Sequence, residues 1–170
     1  RVLYNMKTAE RIVTFLKGEI PEIPVICSVA ELIAVHKNLA GEIDRCIISE
    51  DEMADNASPE LRSIRRAIIR QNEALKAKMN HILNLSDNKT ILQDSIVTMR
   101  NGRYVIPVKQ EHRNRVPGIV HDQSGTGATL FIEPQAIVNL NNELRQLELD
   151  EKAEINRILK ELSEGVSEHY

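Results

Sequence analysis

The residues best equipped for chemistry lie between Arg100 and Arg115, where Arg100, Arg103, Lys109, Arg113 and Arg115 stand against one acid, Glu111. That stretch carries +4 before His112 is counted, whereas the whole 170-residue chain carries -3. Guanidiniums set opposite each other on a hairpin repel, and an anionic partner relieves the repulsion. Phosphate binding suits this pattern, with Arg100, Asn101, Arg103, Lys109, His112, Arg113 and Arg115 as candidate nucleic-acid contacts. A competing reading is that a small sheet carries surface charge to keep its edges from pairing with other chains.

Other chemistries find no support. A glycine-rich loop ending in Gly-Lys-Ser/Thr is missing, so the sequence offers no triphosphate cradle. Ser124-Gly125-Thr126-Gly127 is followed by a strand pattern rather than a helix, and reads as a turn. His121-Asp122-Ser124 holds triad residue types, but neighbours on a strand alternate faces, so His121 reads as a satisfied surface histidine. The histidines at 36, 81, 112, 121 and 169 have no metal-ligand spacing, and no metal is assigned. Cys27 and Cys46 are too few and too far apart for zinc and read as free thiols of a cytoplasmic protein. No enzyme activity and no cofactor are assigned to this chain. No apolar run approaches the roughly 18 residues that span a bilayer, so no membrane partner is expected. The opening Arg1-Val2-Leu3-Tyr4-Asn5-Met6 has neither an initiating Met nor a signal-peptide core, and reads as the start of a fragment.

The elements that must position the basic stretch follow from patterning. Aromatics make up only 3% and Trp is absent, which argues against a thick globular core. Leu3, Met6, Ile12, Val13 and Leu16 predict a first helix that stops where Gly18, Pro21 and Pro24 punctuate the chain. Ser28 and Glu31 have capping-box spacing, predicting a second helix with Leu32, Ile33, Val35 and Leu39 as its apolar stripe. The acidic run from Ser49 to Asn56 predicts an exposed loop or small hairpin. Ser58 followed by Pro59 predicts a capped helix start, after which Leu61, Ile64, Ile68, Leu75, Met79 and Ile82 recur at three-and-four spacing. Past Pro134 the same spacing returns in Ile137, Leu140, Leu144, Leu147, Ile155, Ile158 and Leu162. Two such stretches predict an antiparallel coiled-coil pair, with a plain helical bundle as the alternative.

Between them, residues 95–109 alternate in polarity around Asn101-Gly102, the pair favoured in a type I′ hairpin turn. That turn sets Arg100 opposite Arg103, Met99 opposite Tyr104, Thr98 opposite Val105 and Val97 opposite Ile106. Val97, Met99, Tyr104, Ile106 and Val108 then form an inward face, and Thr98, Arg100, Arg103, Val105 and Lys109 a basic outer one. Pro107 marks its strand as an edge or a bulge. Residues 118–122 and 128–133 supply two further strands. The predicted class is α+β, mainly α: a helical base, a long antiparallel two-helix coiled-coil arm and a small antiparallel β-sheet tip. The predicted layout is 1–58 helical core, 59–90 ascending lever helix, 91–133 β clamp-like tip, 134–163 descending lever helix and 164–170 tail.

Several segments carry a specific resemblance. Val97-Thr98-Met99-Arg100-Asn101-Gly102-Arg103-Tyr104-Val105-Ile106-Pro107-Val108-Lys109 and Arg115-Val116-Pro117-Gly118-Ile119-Val120-His121-Asp122 closely resemble the bacterial MutS type II family. Gly127-Ala128-Thr129-Leu130-Phe131-Ile132-Glu133-Pro134, Leu140-Asn141-Asn142-Glu143-Leu144 and Asp55-Asn56-Ala57-Ser58-Pro59-Glu60-Leu61 extend the match over roughly residues 50–163. The resemblance implies the middle core, lever and clamp of a homodimeric protein whose ATP- and Mg-dependent P-loop ATPase and small nuclease domain lie elsewhere. It further implies contact with DNA or with ribosomal RNA and the ribosome, in recombination suppression, mismatch-repair-like binding or the splitting of stalled ribosomes. The alternative is a coiled-coil protein-interaction module without direct nucleic-acid binding.

Overall fold

The computed structural model describes residues 1–19, 24–85 and 88–169. Its class is α+β with helices predominating: α1 (Val2–Glu19), α2 (Pro24–Ala30), α3 (Lys37–Cys46), α4 (Pro59–Asn84), a single turn α5 (Asn88–Ile91) and α6 (Val138–Ser167) accompany four strands. The strands are β1 (Thr98–Arg100), β2 (Arg103–Lys109), β3 (Gly118–Gln123) and β4 (Thr129–Pro134). The chain divides into two compact units, one made of Arg1–Arg62 with Ala153–Tyr170, the other of Ser63–Lys152.

In the first unit the helix starts differ from the expectation. Helix α1 runs through Gly18 to Glu19, and Pro21 lies outside the described residues. Pro24 opens α2, where its fixed φ suits a first helical position, and this start pre-empts the capping box. Ser28 therefore sits inside the helix, and its hydroxyl donates to the Val25 carbonyl at 2.9 Å instead of capping a new one. The next helix begins only at Lys37 and buries Ala40, Ile43 and Cys46, three residues apart on one face. Met6 of α1 joins Ala40 and Ile43, while Cys46, Met53, Ala57, Leu61 and Ile158 form a second apolar cluster. The acidic run is a small hairpin: Ile47 bridges Met53, and the Ala54 amide donates to the Cys46 carbonyl at 2.8 Å.

Ser58 caps α4 as expected, its Oγ accepting from the Leu61 amide at 2.9 Å. The same hydroxyl donates to Glu154 Oε1 at 2.6 Å. Arg157, one turn further along α6, also binds that carboxylate. The guanidinium and the hydroxyl together hold the Glu154 carboxyl down at about 2.

The second unit contains the sheet, ordered β1-β2-β4-β3 with antiparallel neighbours throughout. The hairpin register is the expected one: Thr98 pairs with Val105, Met99 with Tyr104 and Arg100 with Arg103. Asn101 and Gly102 take φ of 52° and 73°, the two left-handed positions that this turn requires. The core joins Leu75, Met79 and Leu83 of α4 to Ile106, Val108 and Ile132 of the sheet and to Ile137 and Leu144. Part of the helical stripe thus packs on strands. Within this unit α4 also meets α6 directly, since Arg65 pairs with Glu151 at 2.7 Å and Gln71 donates to the Leu140 carbonyl and the Glu143 carboxylate.

Three strand expectations fail. Met99, assigned inward, is 49% exposed because it sits on the short edge strand β1, while Val105, assigned to the outer face, is fully buried. Both faces of β2 are covered in its middle. Pro107 lies on an interior strand, tolerated because the β1 ladder has ended there and its carbonyl accepts from the Gln93 amide at 2.9 Å.

Candidate nucleic-acid interface

The seven candidate contacts all lie in the sheet-bearing unit, and the structure separates them into two groups. Arg100 and Arg103 leave the hairpin on the same side, as their direct pairing requires. Each finds a carboxylate. Arg100 Nε lies 3.1 Å from Asp122 Oδ2 on β3, and its guanidinium covers the Phe131 ring of β4 at 4.0 Å. Arg103 Nη1 donates to Glu133 Oε1 at 3.1 Å. Asn101, exposed at the turn, donates its side-chain amide to the His121 carbonyl at 3.2 Å.

The second group follows β2. Lys109 Nζ reaches the Thr90 carbonyl at 3.2 Å. A 3₁₀ stretch, Gln110–Arg115, then carries His112, Arg113 and Arg115. Arg113 donates to the Val116 and Gly118 carbonyls, each at 3.1 Å, which fixes the guanidinium while leaving its charge unneutralised. The Arg115 side chain is exposed and makes no side-chain hydrogen bond or ion pair among the described residues. His112 lies 3.6 Å from the exposed Glu111. Lys109, Arg113 and Arg115 therefore meet no carboxylate among the described residues.

Patterning alone missed the centre of the first group. Glu133 is completely buried and accepts from three elements: Arg103 of β2, Asn141 Nδ2 of α6 at 2.7 Å, and the His121 ring of β3, whose Nε2 lies 2.5 Å from Oε2. His121 is thus an internal partner of a carboxylate, not a surface histidine. Asn141 also brackets Tyr104, accepting from its amide and donating to its carbonyl at 3.3 Å each. The Tyr104 hydroxyl in turn donates to Asn72 Oδ1 of α4 at 2.8 Å. Neither Asp122 nor Ser124 joins His121 in a catalytic arrangement. The missed signal is a charged residue inside Thr129-Leu130-Phe131-Ile132-Glu133, where a buried strand admits a carboxylate only with donors around it. Gly118 fits the same crowded place, for a Cβ there would lie 2.1 Å from the Glu133 carbonyl oxygen.

Among the described residues no group of three or more His, Cys, Asp or Glu forms a metal site, and no helix is long and apolar enough to cross a membrane. No protein-family model matches the chain. Individual relatives do. The chain is 49% identical over 166 residues to the Endonuclease MutS2 of Alkaliphilus oremlandii, covering 96% of the chain and 21% of that protein. It is 51% identical over 145 residues to the Endonuclease MutS2 of Clostridioides difficile, 85% of the chain and 18% of that protein. For the Endonuclease MutS2 of Agathobacter rectalis the figures are 54% over 129 residues, 76% and 16%. The chain spans about a fifth of the length of these curated relatives.

Proposed function

Because the chain belongs to the MutS2 family, we propose that it is a non-catalytic lever and clamp region that grips nucleic-acid backbone. Residues 59–90 and 134–163 act as the ascending and descending levers, 91–133 as the clamp-like tip, and 1–58 as helical core. The levers couple the grip to an ATPase beyond these residues, in a homodimeric, cytoplasmic protein. The backbone is DNA in recombination suppression or mismatch-repair-like binding, or ribosomal RNA in the splitting of stalled ribosomes. Endonuclease activity, carried in the names of the relatives, belongs to parts outside this chain.

The observation that supports this reading is the trio Lys109, Arg113 and Arg115, cationic side chains without a carboxylate partner among the described residues, in a chain of net charge -3. Three phosphates neutralised give a log-affinity slope near -3 against log salt on duplex DNA. Fluorescence anisotropy of the 170-residue chain with branched DNA, duplex DNA and ribosomal RNA across ionic strengths measures that slope. Replacing Arg113 and Arg115 by Glu is expected to abolish binding, and a flat salt response or an unchanged affinity refutes the grip. The coiled-coil interaction alternative draws less support, since Leu75, Met79 and Leu144, residues of the apolar seams, are buried inside the sheet-bearing unit. A stable dimer that Leu144→Asp dissolves without unfolding the monomer would restore it.

A further inference from the structure

We propose that Arg100 is a stacking platform for one unpaired nucleobase, a subsite that makes the clamp prefer strands with free bases over perfect duplex; this rests on the nucleic-acid reading above. Its guanidinium is held on three sides. Its Cζ lies over the Phe131 ring, 4.0 Å from the centroid, Asp122 takes the Nε edge at 3.1 Å, and the Met99 carbonyl accepts from Nη1 at 2.8 Å. The side chain nonetheless remains 37% exposed.

These contacts separate Arg100 from the cations of the neighbouring 3₁₀ stretch. A guanidinium already facing a carboxylate is a poor phosphate ligand, because Asp122 repels the incoming anion. Its plane loses nothing by that pairing. A delocalised, weakly hydrated guanidinium backed by an aromatic ring offers its remaining face to another flat π-system, and nucleobases stack on arginine in this way. Bases inside a duplex have both faces covered by their neighbours, so the platform serves only bases that are looped out, frayed or single-stranded.

The test uses the 170-residue chain with oligodeoxynucleotides and oligoribonucleotides carrying one 2-aminopurine, either unpaired or within a full duplex. Wild type is expected to bind the unpaired probe more tightly and to quench its fluorescence; the DNA and RNA arms identify which backbone brings the base. Arg100→Lys keeps the charge and removes the plane, and the unpaired-to-paired affinity ratio is expected to fall about tenfold. Phe131→Leu, which leaves the guanidinium in place but removes the ring beneath it, is expected to lower the same ratio by less and covers the case in which Arg100→Lys disturbs the hairpin. An unchanged ratio in both variants overturns the platform while leaving the backbone grip intact. Failure of wild type to bind any of the oligonucleotides overturns both.

Discussion

Glu133 and Glu154 are the carboxylates buried among the described residues, one in each unit, and they are held in contrasting ways. Glu154 draws on Arg157 of its own helix and on the Ser58 hydroxyl that also caps α4. Glu133 draws on Arg103, His121 and Asn141, from β2, β3 and α6. The first is a local ion pair with one added crosslink; the second is a hub around which strands and helix are oriented. A buried charge with partners on separate elements is destabilising to break, because each partner is left unpaired when the centre is removed.

The largest effect is therefore expected at the hub. Glu133→Leu should lower unfolding free energy by about 3 kcal/mol, the lower end for a broken buried pair because Arg103 keeps partial access to water. Urea titration measures it, and a loss below about 1 kcal/mol would erase the contrast between the two sites. Ser58→Ala comes next, at about 1–2 kcal/mol, since it removes the α4 cap and a donor to Glu154 together. The smallest and most specific effect is in acid. The Glu154 carboxyl, held at about 2, lies below the ordinary glutamate range near 4.3. Its contribution to stability is complete above about pH 4.3 and is lost as pH falls toward 2. The stability difference between wild type and Glu154→Gln, followed by urea midpoints from pH 5 to 2, should shrink across that window; a constant difference contradicts the assignment.

Local rules carried the reading furthest where the interaction itself is local. Asn101-Gly102 dictates its turn and thereby three cross-strand pairs, and Ser58-Pro59 dictates a helix start. Ser28 and Glu31 misled because Pro24 nucleates a helix four residues earlier, turning a capping residue into an interior one. Alternation along β2 misled for another reason: inward and outward positions differ only while one face of a strand is wet, and Val105 is fully buried. The seven candidate contacts were legible as a set of charges, but their division was not. Whether an arginine is matched depends on Asp122 and Glu133, 22 and 30 residues away in sequence, and that pairing is a property of the folded sheet.

Ser63–Lys152 is one unbroken stretch of chain, whereas its companion unit is assembled from Arg1–Arg62 and the late segment Ala153–Tyr170. During synthesis from the N-terminus the sheet-bearing unit has all its residues in hand first. Cys46, Met53, Ala57 and Leu61 must wait for Ile158 to close over them. A nascent chain carrying these residues thus passes through an interval in which α3 and the start of α4 have been made while Ile158, the last member of their apolar cluster, has not.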